Sequence, residues 1–481
     1  MNCRKSTRPF HCLLRQLAPV KHSQDCHLGA RFNNSITCAV QTSSFNMKQS
    51  RNLSSNSSIP RSIDDKEMAL LVDKYAKYSP SPLSVQNFID FGSRAATEKS
   101  SYFFLRKEIP VRLANIIKEI SYLPPRLLKM PSIDLVRSWY LLSLRECLEF
   151  STNENPSPKA VKKFTEAVTR IRNRHNTVVK TVAEGILELK ATSEIDNASD
   201  ASIQYFLDRF YMMRISIRML LLQHIFISEQ EEGDGYYHCG SGFANIDSGH
   251  PRFVGLIDPE CNISHVIEDA YENARDLCEE YYLVAPGLQL KDESSCDVKM
   301  AYIPSHLHHM AFELFKNAMR ATVEYHGKHC EHIPPVTVTI AQGPSELSIK
   351  ISDRGGGFPH PETCTLFKYL YTTAKLPMQI STHGGDSTPL AGYGYGLPLS
   401  RIYARYFNGD LILCPQEGLG TDAIIYLNAF SSRSFEHLPV FNSATKRQYL
   451  APQTKSDWTH PPSQKQMTNS SEVEEKKHPG K

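Results

Sequence analysis

Helix-like spacing of apolar residues dominates the first half of the chain. Between positions 64 and 231, apolar side chains recur every three or four residues, and turn-forming clusters separate the periodic stretches. The clearest periodic stretches are 134–150, 160–189 and 202–227, and the breaks fall at 80–82, 124–125, 153–158 and 194–200. The pattern predicts four long helices joined by short loops, in the form of a helical bundle.

The pattern changes after a polar, glycine-rich stretch at 229–251, which we interpret as a loop or linker. Helical spacing at 263–282 and 305–325 then alternates with β-rich runs, and this alternation predicts an α/β sandwich. The β-rich runs are Val336–Ala341, Leu347–Asp353, Leu411–Cys414 and Asp422–Leu427. The predicted organisation is a helical domain at 63–232, a linker at 233–251, an α/β domain at 252–445 and a partly flexible tail at 446–481.

The first 62 residues have a composition of their own. They hold one acidic residue, Asp25, against nine lysines and arginines, and many serines and asparagines. Basic residues alternate with leucines in the first twenty positions, a pattern typical of a mitochondrial presequence. A disordered basic leader without a targeting role is the alternative.

The net charge, the lengths of the apolar runs and the cysteine spacing argue against several classes of function. The net charge of +3 in 481 residues is too small to favour nucleic acid or an anionic membrane as the main partner. We find no run of about 20 apolar residues and therefore expect no membrane span. The 12 cysteines form no CxxC pair, which favours reduced thiols and gives no zinc-ligand spacing.

One predicted helix carries candidate chemistry. His309, Glu313 and Asn317 are spaced four residues apart within 305–326, so they project from one face. Lys316 and Arg320 flank that face. An ordinary amphipathic helix with its polar stripe in water would show the same spacing.

Glycine-rich turns follow two of the predicted strands. Asp353 begins the sequence DRGGG after the run SELSIKI, where it could accept a hydrogen bond from an exocyclic amine. A second turn, AGYGYGLP at 391–398, opens into a predicted helix at 399–407, so its backbone N–H groups could hold phosphates. It matches neither the P-loop nor the dinucleotide motif. A third turn, 417–422, places the hydroxyl of Thr421 where it could contact a base.

Longer strings resemble a known family. HxxxELFKNAMRAT, ISDRGGG, YTTA and AGYGYGLPLSRIYARYFNGDL are similar to the mitochondrial pyruvate dehydrogenase kinases, and the similarity spans roughly 68–458. The resemblance implies an α+β two-domain fold, with an N-terminal four-helix bundle followed by a GHKL (Bergerat-type) α/β sandwich. It also implies a matrix protein-serine kinase that phosphorylates and inactivates the E1 alpha subunit of pyruvate dehydrogenase. The implied cofactors are ATP and Mg²⁺, with room for a K⁺ ion.

The same resemblance assigns roles to site residues. Glu313 is similar to the general base, His309 to the residue that orients it, and Asn317 to the magnesium ligand. Lys316 and Arg320 would face the phosphates, and Asp353 with Thr421 would bind adenine. The other implied nucleotide contacts are Gly355, Gly357, Thr372, Thr373, Gly392, Tyr393, Gly394, Tyr395, Gly396 and Leu397, beside a lid at Leu366–Leu390. The family usually has serine at 372 and phenylalanine at 393.

Three further features are implied by the resemblance. A regulatory pocket for small acids such as pyruvate would comprise Tyr140, Ser143, Arg172, His175, Arg214 and Arg218, with Met213 where relatives often have serine. A slot for the lipoyl group of the E2 acyltransferase would comprise Leu83, Phe88, Phe91 and Phe104, although plain bundle core is the alternative. Asp457 and Trp458 resemble a tail pair that crosses to the partner of a homodimer.

Other functions stay open at this point. A kinase for branched-chain 2-oxoacid dehydrogenase is the nearest alternative. A non-kinase ATP-driven clamp would need a larger domain after Leu427 than the 54 residues that follow. Phosphohistidine transfer through His175 lacks the acidic residue and proline that usually follow a phospho-acceptor histidine.

Overall fold

The computed structural model describes residues 65–93, 96–192, 197–232, 253–292, 298–327, 332–373 and 394–450. The described residues belong to the same compact unit. The leader at 1–62, the linker at 233–251 and most of the tail lie outside them. The predicted tail boundary at 446 lies inside the last helix, Ser443–Leu450.

The first part of the described chain is helical, as the apolar spacing predicts. α3 begins at a capping box, in which Thr97 and Ser100 each bond the other's backbone N–H, and it contains one proline, Pro110. α3 packs against α5 and α8, and α6 also packs against α8. The helices are α1 (Asp65–Tyr75), α2 (Val85–Ser93), α3 (Glu98–Ile120), α4 (Pro125–Leu128), α5 (Pro131–Leu148), α6 (Pro158–Arg174), α7 (Val178–Thr192) and α8 (Asn197–Glu232).

The prediction of one helical stretch over 160–189 is wrong, because the chain turns at 175–177 between α6 and α7. His175 has φ −86° and ψ 2°, and its backbone N–H bonds to Ile171 and Asn173 in the last turn of α6. Its side chain is 6% exposed and contacts Ser143 and Tyr140 on α5. The apolar period is nearly uninterrupted across this turn, so the spacing alone does not reveal it.

The remaining elements form a five-stranded mixed sheet with helices packed on it, and a separate antiparallel pair of strands, β1 and β3. The five-stranded sheet has the order β2-β4-β5-β7-β6, with β2 parallel to β4 and the other neighbours antiparallel. The elements are β1 (Asp258–Asn262), α9 (Ile263–Tyr282), β2 (Leu288–Asp292), β3 (Lys299–Tyr302), α10 (Pro304–His326), β4 (Val336–Gln342), β5 (Glu346–Ser352), α11 (Thr363–Leu366), α12 (Gly396–Tyr406), β6 (Asp410–Gln416), β7 (Gly420–Asn428) and α13 (Ser443–Leu450).

Alternate residues of the central strands are buried, which gives the sheet an apolar face. Val336, Val338 and Ile340 on β4 are fully buried, as are Ile349 on β5 and Ile425 on β7. α10 packs on β4 and β5, α12 packs on β6 and β7, and α9 packs against α10. The four predicted strands and three predicted helices of this part are confirmed, whereas β1, β2 and β3 were not predicted.

α8 is the longest helix among the described residues. Its stretch Ser199–Glu229 is long and apolar enough to cross a membrane by length and composition, and 78% of its most apolar window is buried inside the protein. A buried core helix passes the same test. α8 contacts α3, α6 and α12, so it borders both the helical region and the sheet region.

A buried arginine lies where these two regions meet. Arg112 on α3 is fully buried and makes a bidentate pair with Glu436, at 2.8 and 2.9 Å. Its Nε donates to Glu108, and its two Nη atoms also donate to the carbonyls of Ser216 and Ser81. Burial alone would lower the pKa of Arg112, but the Glu436 carboxylate outweighs it and raises the pKa. The pair fixes α3 to the segment that follows β7.

Candidate functional site

The polar face predicted on one helix exists on α10. Glu313 forms an ion pair with Lys316, and 2.8 Å separates Oε1 of Glu313 from Nζ of Lys316. Lys316 is 8% exposed, so the Glu313 carboxylate sits beside a largely buried cation. Asn317 is exposed one helical turn further along, and Arg320 pairs with Glu324 at 3.0 Å. The face combines one carboxylate, one carboxamide and two cations.

His309 lies one turn before Glu313 and packs against Tyr403 on α12, with 4.9 Å between ring centroids. Its Nε2 is buried without a hydrogen-bond partner among the described residues. Desolvation lowers the pKa of His309, the Glu313 carboxylate opposes that shift, and Lys316 adds to it. The imidazole is therefore neutral at pH 7 and can donate or accept a single proton beside Glu313.

The first glycine turn holds the Asp353 carboxylate in place. Asp353 Oδ1 accepts from the backbone N–H of Gly355 at 2.8 Å and of Thr421 at 3.2 Å. A Cβ on Gly355 would lie 2.5 Å from the Cβ of Ala321 on α10, and Gly357 has φ +63° with no room beside Gln416. The glycines let this turn lie directly on α10 and on the β6–β7 turn. Asp353 and Thr421, predicted to act together, are brought into contact.

Burial raises the pKa of Asp353 to about 6, although the two backbone N–H groups lower it. Both of those groups bond to the same oxygen, Oδ1. A partly buried carboxylate with a raised pKa, next to glycines with no side chain, is typical of a ligand site.

The end of the second glycine turn that leads into α12 approaches α10. A Cβ on Gly396, the first residue of α12, would lie 2.3 Å from Oε2 of Glu313. The N-terminus of α12, where backbone N–H groups are unpaired within the helix, therefore lies beside the Glu313 carboxylate. Leu397 packs partly buried against the core. Gly392 and Tyr393 lie outside the described residues.

Thr373 contacts the polar face of α10, and Thr372 precedes it in the chain. The Arg320 guanidinium donates to Thr373 Oγ1 at 3.5 Å. The Leu370 N–H donates to the Gly394 carbonyl at 3.2 Å, so the segments 369–373 and 394–396 cross. Most of the predicted lid, 374–390, lies outside the described residues.

Tyr395 differs from its predicted role as a ligand contact. Its side chain is 8% exposed and packs against Tyr211 and Tyr369, with ring centroids 5.9 and 5.4 Å away. The family resemblance implied Tyr395 as a nucleotide contact. The structure instead uses it to fill an aromatic cluster between α8 and the crossing of 369–373 with 394–396.

A small, positively charged pocket lies in the helical region. Its cavity volume is about 10 Å³, room for about one water molecule, and it is lined by Tyr140, Arg172, His175, Arg214, Ile217, Arg218 and Leu221. Ser143 lies just behind it, with its Oγ 3.0 Å from Nε2 of His175. Burial and the nearby Arg214 lower the pKa of His175 to about 3. Five of the six predicted regulatory residues line one pocket, and Ser143 contacts it.

Three buried polar atoms at this pocket have no hydrogen-bond partner among the described residues. They are the hydroxyl of Tyr140 and the Nε atoms of Arg172 and Arg214. Buried donors of this kind are costly unless a ligand or water satisfies them.

A second, apolar pocket lies between α2, α3 and α8. Its volume is about 290 Å³, and Leu83, Phe88, Phe91 and Phe104 all line it, with Asn87, Ser101, Leu105, Leu220 and Gln223. The four residues predicted to form an apolar slot are thus brought together around a cavity rather than filling solid core. The predicted tail pair, Asp457 and Trp458, lies outside the described residues.

Sequence similarity to known proteins shows which family the chain belongs to. Mitochondrial pyruvate dehydrogenase (acetyl-transferring) kinase isozyme 3 of Mus musculus is 48% identical over 397 residues, which cover 82% of this chain and 92% of that protein. The chain belongs to the mitochondrial pyruvate dehydrogenase kinase family. Isozyme 4 of Mus musculus is 46% identical over 88% of this chain and 97% of its own, and isozyme 1 of Homo sapiens is 48% identical over 81% and 87%.

Two family models match this pyruvate dehydrogenase kinase family member. Residues 302–430 match the histidine kinase-, DNA gyrase B- and HSP90-like ATPase model, which confirms the predicted ATP-binding domain. Residues 82–258 match the mitochondrial branched-chain alpha-ketoacid dehydrogenase kinase model. Among solved structures, a mycobacterial sensor histidine kinase, MprB, is similar over 35% of this chain and 95% of its own, at 18% identity and a TM-score of 0.26.

Some residues that shape the site gave no signal in the sequence. Gln204 and Asp208 on α8 bond to Tyr369, 165 and 161 residues away along the chain. Tyr211 joins the same cluster from the next turn of α8. Polar residues in an amphipathic helix are ordinary, so only the folded structure reveals this contact with the ATP-binding domain.

Proposed function

We propose that the chain is a Mg²⁺- and ATP-dependent protein-serine kinase of the mitochondrial matrix. It phosphorylates the E1 alpha subunit of pyruvate dehydrogenase and thereby inactivates that enzyme. The relatives are named as pyruvate dehydrogenase kinases, which supports this substrate. The observation that carries the proposal is the Glu313 carboxylate, paired with Lys316 and directed at the N-terminus of α12.

Phosphoryl transfer needs positioning and neutralisation of charge more than covalent chemistry. Glu313 accepts the proton of the substrate serine hydroxyl through Oε2, the oxygen that faces Gly396. Lys316 holds Oε1 and so fixes the orientation of the carboxylate. The neutral His309 supports that orientation from one turn away. Lys316 and Arg320 balance the charge of the phosphates.

Asn317 provides the protein oxygen for Mg²⁺. Its carboxamide is exposed on the face that carries Glu313, and a hard cation prefers oxygen ligands. Among the described residues, no three His, Cys, Asp or Glu side chains cluster as a self-contained metal site. A lone carboxamide oxygen suits Mg²⁺, a cation that needs few protein ligands. An ion held by Asn317 would neutralise phosphate charge. A K⁺ ion is a further prediction.

The adenine binds at Asp353. Because both backbone donors use Oδ1, Oδ2 can accept a hydrogen bond from the exocyclic amine. Thr421 supports this contact, and Gly355 and Gly357 allow the base to approach the backbone. The turn that includes Gly392, Tyr393, Gly394 and Gly396 surrounds the phosphates, and the N–H groups at the start of α12 favour their negative charge.

The Asp353 contact makes a prediction about nucleotide affinity. Asp353→Asn keeps an oxygen for the N–H groups of Gly355 and Thr421 but turns an amide donor toward the adenine amine. We expect the Kd for MgATP to rise about 10- to 100-fold, with the fold intact. Calorimetry with Asp422→Asn as the control, expected to bind within about twofold of wild type, measures the change.

The same contact sets the pH dependence of binding. Because the pKa of Asp353 is about 6, its carboxylate accepts a hydrogen bond at pH 7.5 and is protonated as the pH falls through 6. Wild-type affinity for MgATP therefore declines from pH 7.5 to 5.5, whereas that of Asp353→Asn stays flat. Parallel declines in the two proteins would remove Asp353 from this role.

The positively charged pocket binds a small carboxylic acid such as pyruvate once the side chains around it move apart, because its cavity volume is otherwise about 10 Å³. Arg172, Arg214 and Arg218 supply cations, and the unpaired Tyr140 hydroxyl supplies a donor. Since the His175 pKa lies near 3, its ring stays neutral while the acid is bound. Phosphate transfer to His175 has no support in this arrangement, because the ring is only 6% exposed.

The apolar pocket receives the lipoyl group of the E2 acyltransferase. A cavity of about 290 Å³ with apolar walls fits a flexible aliphatic chain ending in two sulfurs. We infer that α3, α5, α6 and α8 form a four-helix bundle behind it, with the domain boundaries predicted above and α8 as a core helix rather than a membrane span. Homodimerisation through Asp457 and Trp458 completes the proposed assembly.

A direct labelling experiment tests the substrate. Purified protein is given Mg²⁺, labelled ATP and either the pyruvate or the branched-chain 2-oxoacid dehydrogenase E1, and phosphoserine is located by mass spectrometry. We expect label in the pyruvate enzyme. The branched-chain kinase is the second candidate, because residues 82–258 match the model of that name. Label in that enzyme alone would reverse the substrate assignment, and label in neither would end the kinase proposal.

A further inference from the structure

α8 of the helical region holds one residue of the ATP-binding domain at three points. The Gln204 side chain accepts from the Tyr369 N–H at 2.8 Å and donates to the Tyr369 carbonyl at 3.4 Å. Asp208, one turn further along, accepts from the Tyr369 hydroxyl at 2.9 Å. Tyr369 itself is 3% exposed, and its ring lies against Tyr211 and Tyr395. Its backbone and its side chain are thus both fixed by α8.

The contact continues from Tyr369 to the catalytic face. The next residue, Leu370, donates its N–H to the Gly394 carbonyl at 3.2 Å. A Cβ on Gly394 would lie 2.4 Å from the Tyr371 carbonyl oxygen, so the two backbones are in direct contact. Two residues later, Gly396 adjoins Oε2 of Glu313. α8 is therefore connected to the proposed general base, Glu313, through Tyr369, the contact of residues 370–371 with Gly394, and Gly396.

Leu370 adopts a backbone conformation that leucine disfavours. Its φ is 63°, in the left-handed region where a Cβ meets the following carbonyl. Such a conformation persists only where the surrounding contacts determine it. The bonds from Gln204 and Asp208 to Tyr369, on one side, and the bond to Gly394, on the other, supply those contacts. The crossing is a strained arrangement that α8 maintains.

We propose that Gln204 and Asp208 are positioning residues for the nucleotide. Acting through Tyr369, they hold the backbone at 369–373 against 394–396, and so place Thr373 beside Arg320 and the start of α12 beside Glu313. The nucleotide site is then completed by a helix outside the ATP-binding domain. This inference uses ATP as the ligand of the proposed function and does not depend on which protein is phosphorylated.

The test compares MgATP binding to full-length variants by calorimetry, together with kcat and KM for ATP. Asp208→Ala, Gln204→Ala and Tyr369→Phe each remove one or two of the bonds. We expect each to raise the Kd and the KM for ATP about three- to tenfold, with kcat within about twofold. Asp208→Asn keeps an oxygen acceptor for the Tyr369 hydroxyl and should bind close to wild type.

The chain offers a matched control. Asp200 on α8 pairs with Lys368 at 3.6 Å, next to Tyr369, but both side chains are substantially exposed. Asp200→Ala removes a contact between the same helix and the same segment, and its MgATP affinity should not change. Tyr369→Phe keeps the buried ring, so it reports on the hydroxyl even if the alanine variants fold poorly.

Each result of these measurements either supports or overturns the positioning role of Gln204 and Asp208. Weakened MgATP binding in Tyr369→Phe and Asp208→Ala, with rescue in Asp208→Asn and an unchanged melting temperature, supports the inference. Wild-type Kd values in Tyr369→Phe and Asp208→Ala overturn it, as does an equal loss in Asp200→Ala. If the wild type binds MgATP but labels no E1, the inference is still decided by the Kd values while the proposed function fails.

Discussion

Glu313→Gln should lower the rate of phosphoryl transfer about 10²- to 10⁴-fold, the range for loss of a positioned general base. Glutamine keeps the length of the side chain and its room beside Gly396, but it cannot accept the proton of the serine hydroxyl. It also loses the ion pair with Lys316, at 2.8 Å in the native protein. Because the proposed adenine contact, Asp353, lies on another element, MgATP affinity should stay within about fivefold. Single-turnover phosphorylation, measured beside a binding titration, separates the two effects.

The control for Glu313→Gln is Glu324→Gln on the same helix. Glu324 pairs with Arg320 and accepts from Tyr282, yet its side chain is 49% exposed and it has no place in the proposed chemistry. We expect its rate to fall less than about threefold. A Glu313→Gln enzyme with a wild-type rate would exclude Glu313 as the general base. A parallel loss of rate and MgATP affinity would indicate damage to the site as a whole.

Arg112→Met should destabilise the protein by about 3–5 kcal/mol, because it leaves the buried Glu436 carboxylate without its cation. Both side chains of this pair are 0% exposed. Arg112 also bonds to Glu108 and to the carbonyls of Ser81 and Ser216, so its removal leaves further buried groups unsatisfied. Denaturant unfolding, followed by signals from both regions of the chain, measures the loss.

A surface pair provides the comparison for Arg112. Arg137→Met removes an arginine whose pair with Asp134 spans 3.8 Å, with side chains 51% and 70% exposed. Its effect on the free energy of unfolding should stay below about 1 kcal/mol. The double variant Arg112→Met with Glu436→Gln should cost less than the sum of the two single changes, since the second change removes the unpaired charge. Strict additivity would show that the pair is not coupled.

The sequence predicts the proposed catalytic residues better than it predicts the residues that hold them in place. Glu313, Asn317 and Asp353 stood out as candidates because helical spacing and a glycine turn after a strand are local patterns, and the family resemblance supplied their expected roles. Glu436 could not be paired with Arg112, because 324 residues separate them along the chain. The contact of α8 with Tyr369 has the same origin: nothing near Gln204 marks it as part of a nucleotide site.

The errors in predicted elements also have physical reasons. The turn at His175 interrupts an apolar period that continues on both sides, so spacing joins α6 and α7 into one stretch. β1 has the sequence DPECN and only two of its five residues are buried, which gives little alternation to detect. Tyr395 was expected to contact the nucleotide because of the family resemblance, and only the three-dimensional aromatic cluster explains the burial of its side chain.

We propose that the chain inactivates pyruvate dehydrogenase by phosphorylating E1 alpha. The decisive measurement follows the rate of pyruvate decarboxylation by purified complex after addition of MgATP with either the wild-type protein or Glu313→Gln. We expect progressive loss of activity with the wild type, in proportion to phosphoserine formed, and at least about 100-fold slower loss with Glu313→Gln. Full decarboxylase activity in the presence of active wild-type protein and MgATP would contradict it.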